Sequence, residues 1–116
     1  MTRLDAGSPR VAASLSLTDD PVPADKVRAG APRTGWLALD ETEARTIGVW
    51  EHTPGVSTDV EDDEVFVVVA GAGTLEFTDP PLPAVELLPG TIVRLTAGMR
   101  TVWTVRETLR KVSIAP

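Results

Sequence analysis

The chain has no cysteine and a single histidine, His52, among its 116 residues. Without thiols there is no disulfide, no thiolate nucleophile and no zinc finger. Basic side chains are also scarce: eleven Lys and Arg stand against seventeen Asp and Glu, for a net charge of −6. Clustered Lys and Arg are the footprint of nucleic-acid binding and of docking on anionic lipid, so neither partner is expected. The first twenty residues, MTRLDAGSPRVAASLSLTDD, hold no apolar stretch of signal-peptide length, and no run elsewhere approaches a membrane span. These absences predict a soluble, cytoplasmic protein.

What is present is globular: 42% hydrophobic residues and three tryptophans, on a length that suits one domain with one core. Ten prolines and nine glycines break the chain every few positions. Between the breaks lie short β-branched runs, the pattern of a sandwich or barrel, with roughly eight or nine strands.

Residues 1–20 read as an N-terminal extension with a possible edge strand at Val11–Leu17, and residues 21–116 as the barrel. Pro23 and Gly30 bracket one expected helical turn. Strands are expected at Gly35–Leu39 and Ala44–His52; on a period of two, Gly48, Trp50 and His52 share one face of the second. Val56–Asp63 reads as a polar, acidic approach to Glu64–Gly73, EVFVVVAGAG, the densest apolar stretch. Val65–Ala70 is apolar at every position, which predicts cover on both faces. Gly71–Gly73 reads as a tight connection into Thr74–Thr78. Further strands are expected at Ala84–Leu88, Thr91–Thr96, Thr101–Val105 and Leu109–Ala115.

Two spacings carry a resemblance. Glu64 is followed by six residues and Gly71, and Gly90 by five residues and then Thr96-Ala97-Gly98. These resemble the first and second motifs of cupins, with threonine where proline is usual. GVWEHTPG, AGMRTVWTV and ETLRKVSI look further like the small cupins related to the ureidoglycine aminohydrolase domain, over Pro21 to Ile114. The resemblance implies an all-β double-stranded β-helix, a jelly-roll barrel with an interior pocket, commonly a homodimer. Metal-binding cupins also carry histidines. Here those positions fall on Thr58 and Val60, or Ser57 and Asp59, and on Thr101. A first-row metal site needs imidazole and carboxylate donors together, so neither a bound metal nor any other cofactor is expected.

The candidate site residues follow. Glu64 is either a carboxylate aimed into the barrel, able to move a proton or hold a cationic group, or a residue paired with Arg94 or Arg100. His52 is either a general base lining the pocket beside Trp50 or a structural residue at a turn. Trp50 and Trp103 offer apolar surface with one N–H each, as pocket lining or as barrel filling. Thr101 shares a strand face with Trp103, and an inward Arg94 could grip a carboxylate. Asp59, Glu61, Asp62 and Asp63 read as a solvated loop, and Arg110-Lys111 as solvated edge charge.

Three functions remain: a metal-free cupin with a pocket for a small molecule, a metal-dependent enzyme on a ureide-type substrate, and a packed barrel serving as an interaction scaffold. The missing imidazoles weigh against the enzyme.

Overall fold

The computed structural model describes all of residues 1–116. Its regular elements are nine strands and two short 3-10 turns, Ala12–Ser14 and Ala24–Lys26. The strands are β1 (Asp20–Pro21), β2 (Val27–Ala29), β3 (Arg33–Glu41), β4 (Thr46–His52), β5 (Gly55–Val60), β6 (Glu64–Asp79), β7 (Pro81–Leu87), β8 (Ile92–Leu95) and β9 (Arg100–Ala115). All pairings are antiparallel, and the sheet curls into a jelly-roll barrel. No helix is long and apolar enough to cross a membrane.

Two long strands organise the barrel. β9 runs beside β6 from Val65↔Ile114 to Asp79↔Arg100. Its free edge serves β5 along residues 100–105 and β4 along residues 109–115. The outer edge of β6 is shared in the same way, by β8 along its first half and β7 along its second. The β6–β9 ribbon bends through register shifts between Val68 and Gly73. Such bulges aim the two halves of a strand at different neighbours. Gly71, at φ +92°, sits in this bend, where a Cβ would lie 2.1 Å from the Thr108 carbonyl oxygen. The glycines expected to join two strands instead bend one.

Other boundaries move for related reasons. The acidic approach at 56–60 is paired as β5, because its backbone meets β9 whatever its side chains are. Val11–Leu17 is not a strand. It holds a 3-10 turn, and the extension then crosses β3, where Thr18 N–H donates to Trp36 O at 3.2 Å and Trp36 N–H donates to Thr18 Oγ1 at 2.9 Å. The turn after Pro23 is 3-10 and leads into β2, which pairs β5.

Phe66, Val68, Leu75, Leu87, Leu95, Trp103, Val105 and Leu109 form the core. The expectation of cover on both faces of Val65–Ala70 fails in part. Phe66 and Val68 point inward, while Val65 is 37% exposed on the outer face.

Candidate functional site

The inner faces of β4 and β9 set the site. β4 turns Gly48, Trp50 and His52 inward, and β9 turns Thr101 and Trp103 inward before its bend and Lys111 and Ser113 after it. Trp36 on β3 pairs across from Trp50, so all three tryptophans gather in one region. Gly48 makes room for this: a Cβ there would fall 2.3 Å from the Trp36 ring. A cavity of about 410 Å³ opens between these faces and the β5–β6 loop. The exposed side of Trp36 and the exposed Val60 and Asp62 connect it to solvent.

At its base lies an ion pair. Lys111 Nζ is 2.6 Å from Glu64 Oε1, and Ser113 Oγ donates to the other oxygen of the same carboxylate. The ammonium also faces the rings of Phe66, Trp50 and Trp103, with centroids at 4.3, 4.6 and 4.8 Å. Aromatic faces attract a desolvated cation, so the lysine is held by a carboxylate and three quadrupoles at once. Glu64 therefore pairs with neither Arg94 nor Arg100. Arg94 is exposed beside Val65 on the outside of the barrel and takes no part in the cavity, and Arg100 is exposed too.

Lys111 is not solvated edge charge; it is 4% exposed. Its strand lies between β4 and β6 and is no edge at all. Arg110 points the other way and is also buried, bound to Glu51 at 3.0 Å and donating to the carbonyls of Ala12 and Leu15. It thereby pins the N-terminal extension to the outer face.

Glu61 likewise leaves the solvated loop that its neighbours suggest. It is 8% exposed, and its Oε2 accepts from Thr101 Oγ1 at 2.6 Å and Trp103 Nε1 at 3.0 Å. No buried side-chain oxygen in the chain lacks a partner, and Oε1 of Glu61 has none within the protein. That oxygen therefore opens on the cavity that Glu61 lines. Burial pushes its carboxyl above the usual glutamate range, and the Asp59 charge adds to this, while the two hydrogen bonds and Lys111 oppose it.

His52 sits deeper, 1% exposed, against a smaller cavity of about 130 Å³ that shares Trp50 and Trp103 with the first. Its Nδ1 lies 2.6 Å from the Thr53 carbonyl, which only accepts, so Nδ1 carries the proton. Nε2 then accepts from Ser57 Oγ at 2.8 Å. Burial lowers its pKa, which favours this neutral form.

Sequence reasoning named Trp50, Glu64 and Trp103, and the structure sets them around the larger cavity. Thr101 acts one step back, through Glu61. Lys111, Glu61 and Ser113 were missed. The alternation of Leu109, Lys111 and Ser113 is the signal that places the lysine inward, once Leu109 is taken as core.

An antiparallel jelly roll with a polar cavity at its mouth is an architecture that cupins share with other jelly-roll proteins. The family model for the EutQ-like cupin domain matches residues 39–112, and the chain belongs to that family. Solved structures similar to it include the EutQ protein of Clostridium difficile, with 14% identity, TM-score 0.65, and coverage of 89% of this chain and 81% of that one. A cupin superfamily protein of Desulfitobacterium hafniense DCB-2 has 13% identity and TM-score 0.66, covering 98% and 94%. A protein of unknown function from Pseudomonas syringae pv. tomato has 20% identity and TM-score 0.72; the match covers 89% of this chain but only 45% of that one. No curated protein shows significant sequence similarity to the chain. At these identities the structural likeness speaks for the fold alone.

Proposed function

We propose that the protein is a metal-free cupin whose mouth cavity binds a small molecule. The observation that carries this is the pairing of Glu64 with Lys111 at 2.6 Å. In cupins that hold a metal, the corresponding carboxylate is a ligand. Here both of its oxygens are engaged, one by an ammonium that would repel any cation brought to the same carboxylate. No group of three or more His, Asp or Glu side chains is arranged to hold a metal. Thr101, at the second-motif histidine position, is occupied with Glu61. These residues do not fit a first-row metal centre, which counts against the ureide-hydrolysing metalloenzyme suggested by the finer likeness to the ureidoglycine aminohydrolase group. A cavity of about 410 Å³ counts against a barrel packed shut, since pockets for small ligands begin at about 300 Å³.

The test is a thermal-shift screen with ureides, carboxylates, amino acids and amines, beside elemental analysis of protein purified without chelator. A ligand that binds the native state raises stability by mass action. The reading expects at least one class to raise Tm and no stoichiometric metal. Silence from every class at millimolar concentration overturns it, and near-stoichiometric manganese, iron, nickel or zinc would bring back the metalloenzyme reading instead.

A further inference from the structure

The cavity is unbalanced in charge. Asp59, Glu61, Asp62, Asp63 and Glu64 line it, against Lys26 and Lys111 alone. Both lysines are already used, Lys26 by Asp59 at 3.1 Å and Lys111 by Glu64 at 2.6 Å. Asp63 Oδ1 accepts from the Ala97 backbone N–H at 2.9 Å. Glu61 receives only neutral hydrogen bonds, and its Oε1 has no protein partner. An unpartnered carboxylate oxygen that a buried residue opens to a cavity calls for a donor, and a cationic donor answers it most strongly.

The second observation is aromatic. Trp36, Trp50 and Trp103, all the tryptophans of the chain, border the same space. Aromatic walls combined with carboxylates are how proteins take up ammonium and quaternary ammonium groups. The chain displays that mode internally, since the Lys111 ammonium is held by Glu64 and three ring faces.

We propose, building on the small-molecule reading above, that the ligand is a small organic cation, an amine or amidine with an apolar body, whose charged nitrogen donates to Glu61 Oε1 while its body lies against Trp36 and Trp50. An anion would meet the acidic Asp62 and Asp63, which no lysine pairs, and a neutral isostere would forfeit the charge-assisted bond. Binding is also linked to protons. The charged groups around Glu61 are Asp59 on β5, Asp62 and Asp63 on its own loop, Glu64 on β6, Lys111 on β9 and Lys26 on the turn before β2. Burial first, and then the Asp59 charge, raise the Glu61 carboxyl above its usual range in the empty cavity, against the Thr101 and Trp103 hydrogen bonds and Lys111. An arriving cation acts against that shift, so its binding releases part of a proton from Glu61.

The experiment titrates the full chain with ethylammonium, tetramethylammonium, putrescine and guanidinium, and in parallel with acetate, propionate, urea and glycerol. Tryptophan fluorescence and thermal shift are the readouts. The proposal expects a fluorescence change and a raised Tm from members of the first set only. Calorimetry in two buffers of different ionisation enthalpy should show release of a fraction of a proton for a donating cation. The near-isosteric Glu61→Gln, which keeps an oxygen for Thr101 and Trp103, should weaken that cation about tenfold or more and abolish the release. Carboxylates or neutral compounds binding while all cations fail would overturn the ligand class and leave the pocket reading standing. Cation binding unchanged by Glu61→Gln, or without proton release, would overturn the role of Glu61. Failure of both sets together with the ureides and amino acids would remove the pocket reading itself.

Discussion

Lys111 Nζ lies 2.6 Å from Glu64 Oε1, with 6% and 14% of the two side chains exposed. Such a pair is tolerated out of water because every partner is supplied: Ser113 serves the second carboxylate oxygen and three rings face the ammonium. Removing one member is therefore costly. Lys111→Met leaves a buried carboxylate with a single hydroxyl, and the loss of stability should be about 3–5 kcal/mol. The double variant Lys111→Met with Glu64→Gln should recover much of that loss, because the orphan charge is gone. Urea denaturation of the wild type, both single variants and the double variant measures the coupling, and additive losses would show that the pair is not a unit.

Glu61 makes stability depend on pH in a defined direction. Its folded-state pKa is raised by burial, so the fold favours the protonated form. That contribution is fully present below the ordinary glutamate range and disappears as pH rises through the raised value. Glu61→Gln stays neutral and escapes this loss. The stability of Glu61→Gln relative to wild type should therefore increase between mildly acidic and neutral pH, read from denaturation curves at each pH. A constant difference across that window would mean that Glu61 is ionised in the fold as readily as in the unfolded chain.

The fold was legible because its information is local. Gly and Pro punctuation, period-two alternation and the Glu64–Gly71 and Gly90–Gly98 spacings all survive without tertiary context. Less legible was anything decided across the β6–β9 ribbon. Gly71-Ala72-Gly73 signals a bulge as readily as a turn, and only pairing with β9 settles which. The fate of a charged residue depends on register in the same way. Arg110 and Lys111 are neighbours on opposite faces, one beneath the N-terminal extension and one inside the barrel, and a slip of one residue would exchange them. Glu61 lies among Asp59, Asp62 and Asp63, and nothing in that acidic run marks which carboxylate turns inward to Thr101 and Trp103. Glu64 was readable as a carboxylate needing a partner. The identity of that partner was not.

His52 provides a direct check of the inner geometry. Burial lowers its pKa, so the neutral ring is favoured in the fold; its contribution to stability is present above the ordinary histidine range and is lost as pH falls through it. As the only histidine, it gives one set of imidazole resonances. These should titrate with a midpoint below about 6.5 and show the Nδ1–H tautomer at neutral pH. Ser57→Ala, which leaves Nε2 without its donor, should raise the midpoint if water enters the smaller cavity to solvate the ring. A midpoint at or above the ordinary value in the wild type would contradict the buried placement.

Gly71 and Gly98 separate backbone conformation from crowding. Both have positive φ, +92° and +88°, a region that costs a residue with a Cβ about 1–3 kcal/mol. Only Gly71 is crowded as well. A Cβ there meets the Thr108 carbonyl oxygen at 2.1 Å and the Leu109 Cα at 2.7 Å, whereas at Gly98 nothing lies within 4 Å. Gly98→Ala should therefore lose only the conformational amount. Gly71→Ala should lose distinctly more, because relief requires β9 to move away from β6 at the bend that carries Lys111 toward Glu64. The Gly71→Ala variant should also disturb the tryptophan fluorescence of the cavity, since Trp103 lies on β9, the strand that must move, while Gly98→Ala should leave it unchanged. Equal losses and equal spectra in the two variants would mean that the bend yields easily and that the β6–β9 ribbon does not hold the site in place.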